Sequence, residues 1–201
     1  MGDKVGVGVL ISGRGSNMLA LAEHKRRDPS RAYDIALVAS NVPEARGLVL
    51  ARRLGLDTWA LSHKGLERRD FDLKLDAALR DHGVEVIALA GYMRLLSSEF
   101  VERWEGRILN VHPSLLPLYK GLDTHRRALI NGDEYAGCSV HIVTSELDSG
   151  PVLAQSQVRI LPRDDPDTLA ERVLEAEHAL YPVALEAFCA TLRATAAAAG
   201  R

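Results

Sequence analysis

Residues Val5 to Ser12 form a near-continuous apolar, β-branched run that breaks at Gly13-Arg14-Gly15-Ser16-Asn17 and gives way to a helical pattern from Met18 to Lys25. A strand apolar on both faces has to be covered on both faces, which is the property of a central strand in a parallel sheet. The glycine-rich break then turns the chain straight into a helix. A chain that opens this way is committed to alternating strands and helices.

The following residues keep that rhythm. Strands are predicted at Ile35 to Ala39, Thr58 to Leu61, Val86 to Ala90 and Ile108 to Val111. Helices are predicted over Ala45 to Leu54, Asp70 to His82 and from a Ser97 or Ser98 cap to Trp104. Beyond the fifth strand the pattern changes. After a short helix at His125 to Asn131, strands at Cys138 to Val143 and Val152 to Ile160 are joined by a connection short enough for an antiparallel pair. A long helix, Pro166 to Leu192, follows; Pro182 is expected to kink or divide it, and Ala194 to Gly200 to fray. No repeat and no linker interrupts the series. The expectation is one domain over residues 1–201, with about 194–201 as a frayed tail. Its fold class is α/β: a single doubly wound, mostly parallel sheet with an antiparallel C-terminal extension.

Composition narrows the function. With 201 residues, 47% of them hydrophobic, the chain can bury one substantial core. A net charge of -2 gives no general attraction to nucleic acid or an anionic membrane. Cys138 and Cys189 match no metal-ligand spacing and read as buried thiols in a reducing compartment. The first apolar run is interrupted by Gly6, Gly8 and Ser12, lacks a cleavage site, and reads as a strand rather than a signal peptide. No stretch approaches the roughly 18 apolar residues of a membrane span. His24, His63, His82, His125 and His141 show no metal-like clustering, so no metal is expected. The predicted setting is cytoplasmic.

Chemistry concentrates at Asn110-Val111-His112-Pro113-Ser114-Leu115-Leu116-Pro117. In extended backbone Asn110 and His112 point to the same side, and the two prolines stiffen the exit from the strand. One side chain is a donor; the other can donate, accept or carry a proton near neutral pH. Read alone, the segment is equally a stiff turn with a satisfied histidine.

Three further places stand beside it. The glycines at 13 and 15 let backbone N–H groups face an anion at a helix N-terminus, although the loop is neither a dinucleotide fingerprint nor a Walker motif and can be a plain tight turn. Gly91-Tyr92-Met93-Arg94-Leu95-Leu96 follows a buried strand, where open sheets bind ligands, and its apolar members can floor a pocket for a flat heterocycle. Arg94 can equally pack its stem on the surface. Asp148, in a Ser-Glu-Leu-Asp-Ser-Gly-Pro loop, and the Glu177-His178 pair on the last helix have ordinary readings as an Asx turn and a solvated face.

Taken in order and at these separations, Ile-Ser-Gly-x-Gly-Ser-Asn, Ala-Gly-Tyr-Met-Arg-Leu-Leu-Ser, Asn-Val-His-Pro-Ser-Leu-Leu-Pro and Leu-Asp-Ser-Gly-Pro-Val closely resemble the glycinamide ribonucleotide formyltransferase family. The resemblance covers about Val5 to Leu185. It implies transfer of a formyl group from 10-formyltetrahydrofolate to an amine in purine synthesis. It implies Asn110 and a protonated His112 at the oxyanion, with Asp148 pairing with the histidine and ordering a water that relays the proton. Gly15, Ser16 and Asn17 match the substrate phosphate loop and Glu177 the acid that binds the ribose. Met93, Arg94, Leu95 and Leu96, together with Asn110, match the folate site, and Arg68 aligns with a folate-contacting arginine. The partners implied are small molecules, with no nucleic acid or membrane, for a monomer or homodimer. Asp123 departs from the pattern, standing where some relatives carry a second histidine, and Arg14 adds a charge to the phosphate loop.

Alternatives remain at this stage. Formyltetrahydrofolate hydrolase shares much of the constellation but usually has an N-terminal regulatory domain, for which no room is expected ahead of Val5. Methionyl-tRNA formyltransferase appends an RNA-binding domain, and nothing basic of that size is expected after Pro182. A non-catalytic folate or nucleotide binder can use the same fold but has no need of Asn110, His112 and Asp148 together.

Overall fold

In the computed structural model, which describes residues 4–199, strands and helices alternate through most of the chain. The strands are β1 (Val5–Ile11), β2 (Tyr33–Ser40), β3 (Thr58–Ala60), β4 (Val86–Leu89), β5 (Ile108–His112), β6 (Tyr135–Ile142) and β7 (Val152–Arg159). The helices are α1 (Ser16–Arg27), α2 (Arg46–Arg53), α3 (Arg68–Asp81), α4 (Ser98–Arg103), α5 (Thr124–Asn131) and α6 (Pro166–Ala199). One sheet holds all seven strands in the order β3-β2-β1-β4-β5-β6-β7. The first five run parallel; β6 is antiparallel to β5, and β7 to β6. The expected fold class is therefore observed. The strand order reverses between β1 and β4, the crevice where such sheets bind ligands.

The apolar strands are sandwiched as their composition requires. On one face Val5, Val7, Val9 and Ile11 of β1 pack with Met18 and Leu21 of α1, Leu48 of α2 and Leu169, Val173, Tyr181 and Leu185 of α6. On the other, Leu10, Leu37, Ile87 and Ile108 pack with Phe71, Leu75 and Leu79 of α3 and Phe100 of α4. Leaving a leucine of this kind exposed instead would cost about 1.5–3 kcal/mol, so strand register is held by burial on both sides.

Three expectations change. β6 starts at Tyr135 rather than Cys138, because Tyr135, Ala136 and Gly137 pair with Arg159, Val158 and Gln157 of β7; the ladder overrides weak local strand propensity. Pro182 does not divide the last helix, which runs unbroken from Pro166 to Ala199. Tyr181, fully buried and donating to the Leu109 carbonyl, holds the helix against β5 beside the proline. The described part of the Ala-rich tail is helical rather than frayed, as the best helix-forming residue allows. Gly200 and Arg201 lie outside the described residues. Among those described, no helix is long and apolar enough to cross a membrane.

Candidate active site

Asn110 and His112 leave β5 on one side, as their spacing predicts. The ladder sets them opposite His141 and Ser139 of β6. Asn110 Nδ2 lies 3.2 Å from His141 Nε2, and His141 Nδ1 lies 3.0 Å from the Ile142 carbonyl. A carbonyl only accepts, so Nδ1 carries a hydrogen; in the neutral ring Nε2 then accepts from the Asn110 amide. One hydrogen of that amide is engaged and the other is free to donate.

His112 is 5% exposed. Its Nε2 donates to the Tyr119 carbonyl at 3.0 Å, and its Nδ1 faces Asp148 Oδ2 at 3.4 Å. The other carboxylate oxygen, Oδ1, lies 3.6 Å from His141 Nε2. Gly121 N–H donates to Oδ2 at 2.9 Å. Asp148 thus sits between two imidazoles. Burial by itself raises its pKa, but the His141 imidazole beside Oδ1, the Gly121 N–H and the nearby His112 ring more than offset that and hold the carboxyl below its ordinary value. His141 Nε2 faces both a donor and an acceptor.

The sequence explains how a distant loop reaches this point. Gly150 packs so tightly on β6 that a Cβ there would lie 1.8 Å from the Ile142 carbonyl oxygen, which pins the start of the return strand. Asp148 adopts a left-handed backbone, φ 47°, a conformation Asp tolerates better than most residues. Below the proline turn, Ser139 Oγ donates to the Ser114 carbonyl and accepts from Leu116 N–H, while Gln155 Nε2 donates to the Leu116 carbonyl. The Leu116-Pro117 peptide is cis. Tyr119, whose carbonyl holds His112, is itself held by Asp133 and Asn131 at its hydroxyl.

Gly15 and Asn17 belong to a second cluster. Gly15, φ 78°, precedes α1, and a Cβ on it would stand 2.6 Å from Gly47 Cα. No side chain caps this helix and no acid occupies its first turn, so its N-terminal amides favour an anion. Asn17 Nδ2 donates to Glu177 Oε2 at 2.6 Å. Burial pushes the Glu177 carboxyl up to about 7, against the pull of that hydrogen bond. Ser16 is half-buried, whereas Arg14 is exposed.

The third group divides. Met93 and Leu95 are 72% and 57% exposed, while Leu96 packs into the core with Tyr92. The Arg94 guanidinium turns back over the Phe71 ring, 5.1 Å away, and donates to the Leu66 carbonyl. The ordinary reading of Arg94 as a packed stem therefore holds for its side chain. Arg68, exposed, opens α3 two residues earlier than the sequence pattern places the helix.

A strand end bearing a carboxamide and imidazole, with a carboxylate brought to them from a distant loop, is the arrangement to compare with known proteins. The sequence pattern described as "Formyl transferase" matches residues 6–185. The chain belongs to the formyl transferase family. Every site residue above falls inside the matched span. Phosphoribosylglycinamide formyltransferase of Escherichia coli (strain K12) is 44% identical over 181 residues, 90% of this chain and 85% of that protein. The crystal structure of phosphoribosylglycinamide formyltransferase from Brucella melitensis superposes with a TM-score of 0.88 at 47% identity, covering 93% of this chain and 96% of that one. The trifunctional purine biosynthetic protein adenosine-3 of Gallus gallus is 45% identical over 185 residues, which is 92% of this chain but 18% of that protein.

For a formyl transferase, the residue that motif reading passes over is His141. Considered only as a metal ligand, it looks idle. The signal that finds it is geometric: an antiparallel strand laid beside β5 puts alternate side chains of β6, Ser139 and His141, across from His112 and Asn110. Tyr119 and Gly121 act through backbone atoms and leave no side-chain signature.

Proposed function

We propose that this formyl transferase moves the formyl group of 10-formyltetrahydrofolate to the amine of 5'-phosphoribosylglycinamide, a step of purine biosynthesis. The single observation that carries the reading is the cluster in which Asn110, His112, His141 and Asp148 meet at the end of β5. In the reaction the amine nitrogen bonds to the formyl carbon, negative charge develops on the formyl oxygen, the bond to the folate nitrogen breaks, and the proton shed by the amine ends on that nitrogen. Asn110 supplies a fixed amide hydrogen to the developing charge. His112, braced by the Tyr119 carbonyl and Asp148, brings positive charge beside it when protonated. Asp148, ionised because its surroundings hold its pKa down, accepts and passes on the amine proton, directly or through a water.

The other groups bind and orient. Gly15, Ser16 and Asn17 at the start of α1 receive the substrate phosphate, and Glu177 reads the ribose hydroxyls beside them. Met93 and Leu95 floor the folate site while the backbone at Arg94 and Leu96 reads the edge of the heterocycle; Arg68 stands at the rim for the acidic end of the folate. We read residues 1–201 as one formyltransferase domain, working in the cytoplasm on small molecules, without nucleic acid or membrane, as a monomer or homodimer.

The deciding measurement is spectrophotometric release of tetrahydrofolate with and without the phosphorylated amine. Release should require the amine. Release at the same rate in its absence would replace transfer by hydrolysis.

A further inference from the structure

The Met93–Ser97 segment is held from outside at both of its ends. At the first, Ser12 N–H donates to the Gly91 carbonyl at 3.1 Å, and Ser12 Oγ accepts from Met93 N–H at 2.8 Å. The same hydroxyl donates to Asn41 Oδ1 at 2.6 Å, so its lone pair is aimed rather than free to rotate. Asn41, 4% exposed at the end of β2, is fixed in turn by His63, whose Nδ1 lies 2.8 Å from its carbonyl and 3.0 Å from its Nδ2. At the second end, the Asp72 carboxylate on α3 accepts from Ser97 N–H at 2.7 Å. Asp72 is 2% exposed.

Between the two ends, the backbone N–H and C=O groups of Arg94, Leu95 and Leu96 have no hydrogen-bond partner among the described residues. Surface backbone of this kind normally satisfies itself with water and takes many shapes. Here it is stretched between two side-chain anchors, the half-buried Ser12 just after β1, backed by the buried Asn41 just after β2, and the buried Asp72 of α3. None of these anchors touches the Asn110 cluster or the Asn17–Glu177 pair, and catalysis as described gives them nothing to do.

We propose that Ser12, aimed by Asn41, and Asp72 are positioning residues that hold Met93–Ser97 in the shape that presents the 94–96 backbone and the Met93 and Leu95 side chains to the formyl-carrying heterocycle. The proposal rests on the reading of this segment as the folate floor. The anchors act on folate affinity rather than on the transfer step. Their loss raises KM for the formyl donor while the site for the phosphorylated amine is untouched.

The test compares Ser12→Ala, Ser12→Thr, Asp72→Ala, Asp72→Asn and Leu95→Asp in the full chain, measuring KM for each substrate, kcat and the urea unfolding midpoint. Ser12→Ala should raise KM for 10-formyltetrahydrofolate roughly ten-fold, the weight of one aimed hydrogen bond, with KM for the amine unchanged. Ser12→Thr, which keeps the hydroxyl, should restore it. Asp72→Ala should act in the same direction and Asp72→Asn, still an acceptor, much less; if Asp72→Ala fails to fold, the Ser12 pair decides alone. The proposal is overturned if Ser12→Ala leaves both KM values alone, moves both together, or is not rescued by threonine. Leu95→Asp separates the two layers. A raised folate KM there with none in Ser12→Ala removes the anchors only, whereas no change in Leu95→Asp removes the folate floor itself and the proposal with it.

Discussion

Glu177→Gln should make the protein more stable, and only above the acid range. Glu177 is 7% exposed, and its carboxyl is raised from 4.5 to about 7 chiefly by burial. The sign follows from linkage. A group whose folded pKa lies above its unfolded one contributes stability that is fully present below about 4.5, is lost as pH rises toward 7, and changes no further beyond it. The shift corresponds to about 3 kcal/mol at pH 8, and glutamine, which never ionises, escapes that cost. It also suits its neighbour. Asn17 Nδ2 donates to one carboxylate oxygen, while Asn17 Oδ1 is buried without a partner. A glutamine amide can keep the first bond and donate to the second, closing a pair that an ionised carboxylate cannot close. Urea unfolding followed by the fluorescence of Trp59 and Trp104 measures both proteins between pH 5 and 8.5. The gap should be under about 1 kcal/mol at pH 5 and reach about 3 kcal/mol by pH 8, equivalent to roughly 6–12 °C in Tm for a chain of this size. Parallel pH profiles for the two proteins would refute the assigned cause.

His112→Ala and Asp148→Asn should each lower kcat by at least about 100-fold, the range of general acid-base assistance, with calorimetric affinity for the phosphorylated amine largely intact; near-normal turnover in either removes its assigned role. His141→Leu deletes a group that holds the Asp148 pKa down, so the acid limb of the kcat profile should move to higher pH; an unmoved limb means the contact carries no charge coupling. Binding of the dephosphorylated amine should collapse if the Gly15 loop holds phosphate, and equal affinity by calorimetry would rule that loop out. Gly15→Ala should destabilise the fold by about 1–3 kcal/mol, because φ is 78° and the new Cβ meets Gly47 Cα at 2.6 Å; unchanged denaturant midpoints would show that α2 yields.

The parallel half of the fold is legible because both-face burial leaves an unbroken apolar run, as in β1 and β4, and because glycine marks the helix ends at Gly55 and Gly83. Tyr135 to Gly137 were not legible, since they become strand only when β7 offers a ladder, and Pro182 misleads because tertiary packing carries α6 past it. At the site, Asn110 and His112 could be paired from the two-residue period alone. Asp148 could not be joined to them by any local rule: its reach depends on Gly150 seating against Ile142, a contact between residues whose meeting only the folded sheet decides. The same holds for Arg94, whose direction is set by the Phe71 ring.

The two carboxylates of the site are pushed in opposite directions, and the difference fits the separate work proposed for them. Asp148 is partly desolvated like Glu177, but it faces two imidazoles and a backbone N–H, so its pKa is kept below the ordinary carboxylate range and its charge remains available to attract a proton. Glu177 faces a single neutral amide and apolar surroundings, so near pH 7 it is close to half protonated. A carboxylate that must move a proton needs its charge; one that must recognise hydroxyl groups works as donor or acceptor and gains from holding both forms within reach. The pattern suits the roles proposed above, proton transfer at the β5 end and hydroxyl recognition on α6, and that division would fail together with the stability experiment if Glu177 titrates near 4.5 in the folded protein.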